Sequence, residues 1–246
     1  MEIDKYAIPK EKSVLNFSVR PMTFDEELSG IYEYIRDAKF FQLHKYNILL
    51  PTEDPSFLEY YQRGESLRPE EELKLKAAFQ NIYPNNSHDV TKYSQAIEEV
   101  FEKEEMKESV NILKQLNEKW DFKLLDEYPI LLTRYGSMGT LKNNLIIYND
   151  DQHNSEEGFV RVILHEAMHI GIEKNIVQRF GLIYPEKERV VDLMCKNIYA
   201  KILLNHHMWP GAEIKLDEYI KNIDDIINLP EIIGQYVSKN PRTVSR

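Results

Sequence analysis

The stretch Glu156-Glu157-Gly158-Phe159-Val160-Arg161-Val162-Ile163-Leu164-His165-Glu166-Ala167-Met168-His169-Ile170-Gly171-Ile172 decides how the chain is read. Asn154 or Ser155 can cap a helix here, and Glu156 and Glu157 fall in its first turn, where the helix dipole favours carboxylates. The predicted helix covers roughly residues 156–173. Phe159, Val160, Val162, Ile163, Leu164, Ala167, Met168, Ile170 and Ile172 make it apolar nearly all round, so it belongs in a core. His165 and His169 stand four residues apart on one face, ~6 Å apart along the axis. Both imidazoles can reach one zinc ion at ~2.0–2.1 Å. Polar groups on a buried helix need a partner, and a metal supplies one. Glu166 stands beside the open coordination position and can take a proton from a water there.

Upstream of this helix the chain predicts a small sheet. Trp120 to Leu125, Ile130 to Tyr135 and Leu141 to Tyr148 read as three strands, with a turn at Gly136-Ser137-Met138-Gly139 and a bulge at Asn143-Asn144. Residues 89–118 keep a helical period through Val90, Tyr93, Ile97, Val100 and Val110, Leu113, Leu116, and predict one long helix. Downstream, Tyr184-Pro185 opens a further helix running to about Leu204, with proline at a position where its missing donor costs nothing. Residues 213–238 predict a last amphipathic helix or pair. The Pro84-Asn85-Asn86-Ser87 stretch marks the best boundary in the first half. It divides a mostly helical accessory segment, 1–85, from a domain over 86–246. The expected fold is α+β and helix-rich, with a small twisted mixed sheet packed on the long helix and the histidine-bearing helix.

The His165-Glu166-Ala167-Met168-His169 motif resembles that of the zincin metallopeptidases. That resemblance implies a third protein ligand, whose type sorts the subfamilies. The metzincin pattern needs a glycine and a histidine where this chain has Ile172 and Asn175. Peptide deformylases use an upstream cysteine, and the single cysteine here is Cys195, downstream. Gluzincins take a glutamate from a following helix in a Glu-x-x-x-Asp arrangement, which Glu188-Arg189-Val190-Val191-Asp192 matches. By resemblance, Glu188 binds zinc and Asp192 accepts a hydrogen bond from the far nitrogen of a ligand histidine. The resemblance covers residues 89–204; residues 1–85 resemble nothing nameable and are expected to shape or cover the cleft.

These readings imply zinc-dependent hydrolysis of peptide bonds, with one Zn2+ per chain held by His165, His169 and Glu188, and Glu166 as general base. The zincin resemblance further implies that an extended peptide or protein substrate binds along an edge strand, for which Leu141 to Tyr148 is the candidate. An oxyanion donor is expected among His206, His207, Tyr184 and Tyr199. The bland reading makes the two histidines a helix cap and the tyrosines packing. His44, His88 and His153 read as surface or structural residues, and Cys195 as a buried small residue. The alternatives are a regulatory protein with a structural or shut zinc site, and a toxin-like effector using the same chemistry. Structural zinc sites are closed by four protein ligands, and three candidates stand out here.

Composition narrows the classes. The chain has 246 residues, 42% of them hydrophobic and 29% charged, enough to bury a core unaided. Nine glycines and 11 prolines are few for a loop-rich β fold. A net charge of −10 argues against a nucleic-acid partner. No apolar run approaches the ~18 residues of a membrane span. The opening residues have no basic-then-apolar pattern of a signal peptide. A single cysteine excludes a disulfide framework. The expected location is the cytoplasm.

Overall fold

A computed structural model describes residues 15–83, 88–152, 155–203, 208–209 and 211–241. The fold is α+β: among the described residues, ten α-helices surround one four-stranded mixed sheet. The first elements are β1 (Phe17–Pro21), α1 (Phe24–Arg36), α2 (Ala38–Leu43), α3 (Ser56–Arg63) and α4 (Pro69–Ile82). α5 (Val90–Phe101) and α6 (Glu104–Trp120) follow, then β2 (Tyr128–Thr133), β3 (Gly139–Lys142) and β4 (Leu145–Asn149). The chain continues through α7 (Glu156–Ile172), α8 (Tyr184–Ile198), α9 (Ile223–Ile227) and α10 (Leu229–Lys239).

The strand order is β1-β2-β4-β3. β1, β2 and β4 run parallel, and β3 lies antiparallel to β4 on one edge. Alternate residues of β2 and β4 serve two cores, as a period of two requires. Ile130, Leu132, Ile146 and Tyr148 join the main core with α5 and α7. Leu131 and Ile147 face the other way and pack with Met22. Ile31, Ile35, Phe57, Leu75 and Phe79, from α1, α3 and α4, form a separate cluster with Tyr135.

Several expected elements differ. The long helix over 89–118 is two helices broken at Glu102-Lys103. Continued unbroken, α5 would carry the stripe of Ile97 and Val100 on to Glu104 and Lys107. The restart turns Met106, Leu113 and Leu116 inward instead. Trp120 to Leu125 is not a strand: Trp120 closes α6 and residues 121–125 are irregular. Lys123 N donates to Gly171 O at 3.0 Å, and Phe122 packs so tightly on Gly171 that a β-carbon there would stand 1.9 Å from the ring.

Leu141 to Tyr148 is a hairpin, not one bulged strand. Asn143 and Asn144 take φ values of 52° and 64°, the left-handed pair of a two-residue turn. β1 is a strand that the sequence reading did not anticipate, and it pairs Val19 with Ile130. The division at residue 85 therefore does not follow the sheet, because the first segment supplies one of its strands. α8 ends at Ile198, short of Leu204. Residues 213–238 hold a 3-10 turn and two short helices. No helix among the described residues is long and apolar enough to cross a membrane.

Candidate metal centre

α7 is buried between the sheet, α5 and α8, as its all-round apolar sequence requires. Ser155 caps it by accepting from Gly158 N at 3.0 Å; Asn154 lies outside the described residues. His165 and His169 leave the same face and meet Glu188, which α8 brings across. His169 Nε2 is 3.1 Å from His165 Nε2. Glu188 Oε2 is 3.4 Å from each of those nitrogens.

That spacing is what a metal needs. Three ligands at ~2.05 Å in tetrahedral array stand ~3.3 Å from one another. Two imidazole nitrogens this close, with a carboxylate oxygen beside them, form a group of atoms that one metal ion can share. The residues present therefore fit a zinc ion, and they form a cluster that can bind a metal. Burial opposes charge on His165, but its contacts with Cys195 and Glu188 outweigh it and raise its pKa well above the usual imidazole value. Burial likewise opposes charge on Glu188, yet the bonds and fields of His165 and His169 hold its carboxyl well below the carboxylate range. The two shifts are counterparts: imidazole and carboxylate each favour the other's charged form.

Asp192 lies one turn beyond Glu188 and is 1% exposed. Its Oδ1 stands 3.7 Å from His165 Nδ1, and its Oδ2 accepts from Trp209 N at 2.8 Å. The carboxylate thus sits behind the ligand histidine and ties the 208–209 segment to it. Cys195 is buried, as expected, and its thiol lies near enough to the same imidazole for each to influence the other's protonation. No sequence neighbour signalled that proximity; the fold of α8 against α7 makes it.

Glu166 lies close to the edge strand, and its charge also acts on His165. A β-carbon on Gly139 of β3 would lie 3.4 Å from Glu166 Oε1 and 2.4 Å from Val162 Cγ1. β3, the first strand of the expected segment, is therefore the edge nearest Glu166. Of the expected oxyanion donors, Tyr184 is one turn before Glu188 on α8, its hydroxyl in contact with that of Tyr46. Tyr199 is wholly buried in the main core, and burial raises its pKa. His206 and His207 lie outside the described residues, as does His153. His44 packs on Phe40, 4.5 Å between ring centres. His88 is buried, with Nδ1 2.9 Å from Asp150 Oδ2. No family model, curated protein or solved structure matches the chain.

Proposed function

We propose that the protein is a zincin-like, zinc-dependent metallopeptidase of the gluzincin type. The observation that supports it best is the mutual spacing of His165 Nε2, His169 Nε2 and Glu188 Oε2, 3.1 to 3.4 Å, with Glu166 adjoining. Three protein ligands leave a fourth position open, which suits catalysis better than a closed structural site. When bound, zinc supplies a Lewis acid for the scissile carbonyl and lowers the pKa of water at the open position.

The chain's own groups do the rest. Glu166 takes the proton from the attacking water and carries it to the leaving amine. Its place between the ligand cluster and β3 suits that transfer, because a peptide added to this edge would lay its backbone alongside the carboxylate. Asp192, with Cys195 beside it, orients His165 so that Nε2 stands with His169 Nε2 and Glu188 Oε2, the atoms that would hold zinc.

The test is Glu166→Gln in the zinc-loaded chain. The amide keeps the shape and cannot take the proton. Cleavage of a broad peptide library should vanish while zinc content stays at one per chain. Retained cleavage would remove Glu166 as base, and lost zinc would make it a ligand. A non-catalytic or toxin-like zinc protein is the alternative reading; a parent that binds zinc and cleaves no library peptide would favour it.

A further inference from the structure

The amino-terminal helices pack well on one another and incompletely on the sheet. α1 contacts α3 and α4, and its Ile31 and Ile35 fill a cluster with Phe57, Leu75 and Phe79. Between α1 and the sheet lies a cavity of about 330 Å³, lined by Ile31 and Tyr34 of α1 and by Leu141 and Ile147 of the sheet. Side chains across a gap lose their dispersion partners, so apolar contact holds α1 down weakly here. The tie beside the cavity is polar.

Glu27 of α1 is 1% exposed. Its Oε2 accepts from Thr133 Oγ1 at 2.9 Å, and its carboxylate also accepts from the backbone amide of Arg134, at the end of β2. Its Oε1 stands 4.0 Å from His88 Nε2. The other ring nitrogen of His88, just before α5, is 2.9 Å from Asp150 Oδ2, just after β4. A buried imidazole therefore lies between two carboxyl groups, and the three come from separate parts of the chain. Nδ1 directs its hydrogen at Asp150. A second proton rests on either Nε2 or Oε1, and in both cases Glu27 and His88 attract. Its loss leaves two anions on either side of a neutral ring. Neighbouring charges are committed elsewhere: Glu26 to Arg20, Asp89 to Lys92 N, and Arg134, within reach of Asp150, to Asp151. Tyr34 and Tyr83 near Glu27, and Tyr93 and Tyr148 near Asp150, are held neutral by burial.

We propose that Glu27, His88 and Asp150 form a proton-operated latch: the proton held between Glu27 and His88 seats α1 on the sheet, and its loss releases α1 together with α3 and α4. The latch works independently of the metal centre and its chemistry. Its sign follows from burial, which raises the Glu27 carboxyl from 4.5 to about 7. A carboxyl raised on seating contributes fully below its ordinary value and loses that contribution as pH rises through 7. The latch is shut in acid and released above neutrality. Its release reaches the edge strand, because Glu33 of α1 pairs with Lys142 of β3. The Tyr34 ring also lies against Gly136, where a β-carbon would stand 2.3 Å from it.

The test is amide hydrogen exchange of the full chain, read by mass spectrometry between about pH 5.5 and 8 and corrected for the intrinsic pH dependence of exchange. Protection of α1 should be lower than that of α7 throughout, because α1 opens while α7 stays folded. It should fall on the order of tenfold across that range, with α3 and α4 falling alongside. In Glu27→Gln, whose amide cannot ionise, the change should stay within about twofold. Thr133→Val removes a hydroxyl that favours the ionised carboxylate, so the fall should move to higher pH. Protection of α1 that equals that of α7, that does not fall with pH, or that falls equally in Glu27→Gln overturns the latch. Should Glu27→Gln fail to fold, Thr133→Val decides: a fall at the parent's pH overturns it too.

Discussion

Tyr236 on α10 donates to Glu186 Oε1 at 3.1 Å, and the other oxygen of Glu186 accepts from Ile183 N at 2.9 Å. Glu186 is thereby committed to capping α8 and anchoring the last helix, two residues before the carboxylate that meets the histidines. Glu173 is occupied elsewhere too, with Lys187 Nζ at 3.4 Å and Gln178 Nε2 at 3.2 Å. Three nearby glutamates therefore have three different tasks.

Glu188→Ala should lower zinc affinity by far more than any neighbouring change. Asp192→Ala should lower it about 10–100-fold, as the loss of a ligand-orienting partner does. Glu186→Ala and Glu173→Ala should bind zinc like the parent, while Glu186→Ala loses ~1–2 kcal/mol of stability with its cap. Chelator competition on the four variants checks the order. A Glu188→Ala chain with parental affinity would contradict the ligand assignment.

Burial raises the pKa of Glu27 to about 7. Thr133 Oγ1 donates to its Oε2 at 2.9 Å, His88 Nε2 stands 4.0 Å from Oε1, and Asp150 lies beyond His88. A carboxyl raised on folding binds its proton more tightly in the native state. Its contribution therefore declines as pH rises from the ordinary carboxyl value through 7, by up to ~3 kcal/mol. Urea midpoints of the parent should drop from pH 5 to pH 8 relative to Glu27→Gln. Parallel curves for the two proteins would contradict a raised pKa at Glu27.

Gly139 holds β3 against α7, since any β-carbon there would strike Val162 Cγ1. Gly139→Ala should cost ~1–3 kcal/mol, the usual penalty of overpacking. In a Val162→Ala background the same substitution should cost much less, because the obstructing methyl is gone. A double-mutant cycle by chemical denaturation measures that coupling. Additive losses would mean that the strand shifts freely and the close approach is not a constraint.

The legible part of the site was local. Two histidines at helical spacing, a glutamate between them and an acidic pair on the next helix each lie within one element, where period alone fixes the face. Proline at the second position of α8 marked that helix's start correctly. What escaped was long-range or short. β1 is five residues long and gains its strand character from pairing with β2, a partner distant in sequence. The Asn143-Asn144 turn lacks the glycine that usually announces a hairpin. Cys195 meets His165, and Tyr46 meets Tyr184, only because helices from different parts of the chain converge. The break between α5 and α6 was present as a phase slip between Phe101 and Met106, hidden by the charge run between them.

Zinc-edge X-ray absorption on the zinc-loaded protein tests the ligand set most directly. Two imidazole nitrogens and oxygen ligands at ~2.0–2.1 Å, with no sulfur shell, are the predicted result. Replacing Glu188 with Ala should remove an oxygen and leave both imidazole signals. A sulfur at ~2.3 Å, which only Cys195 or a methionine could supply, or a chain that holds no stoichiometric zinc, would contradict the His165–His169–Glu188 centre.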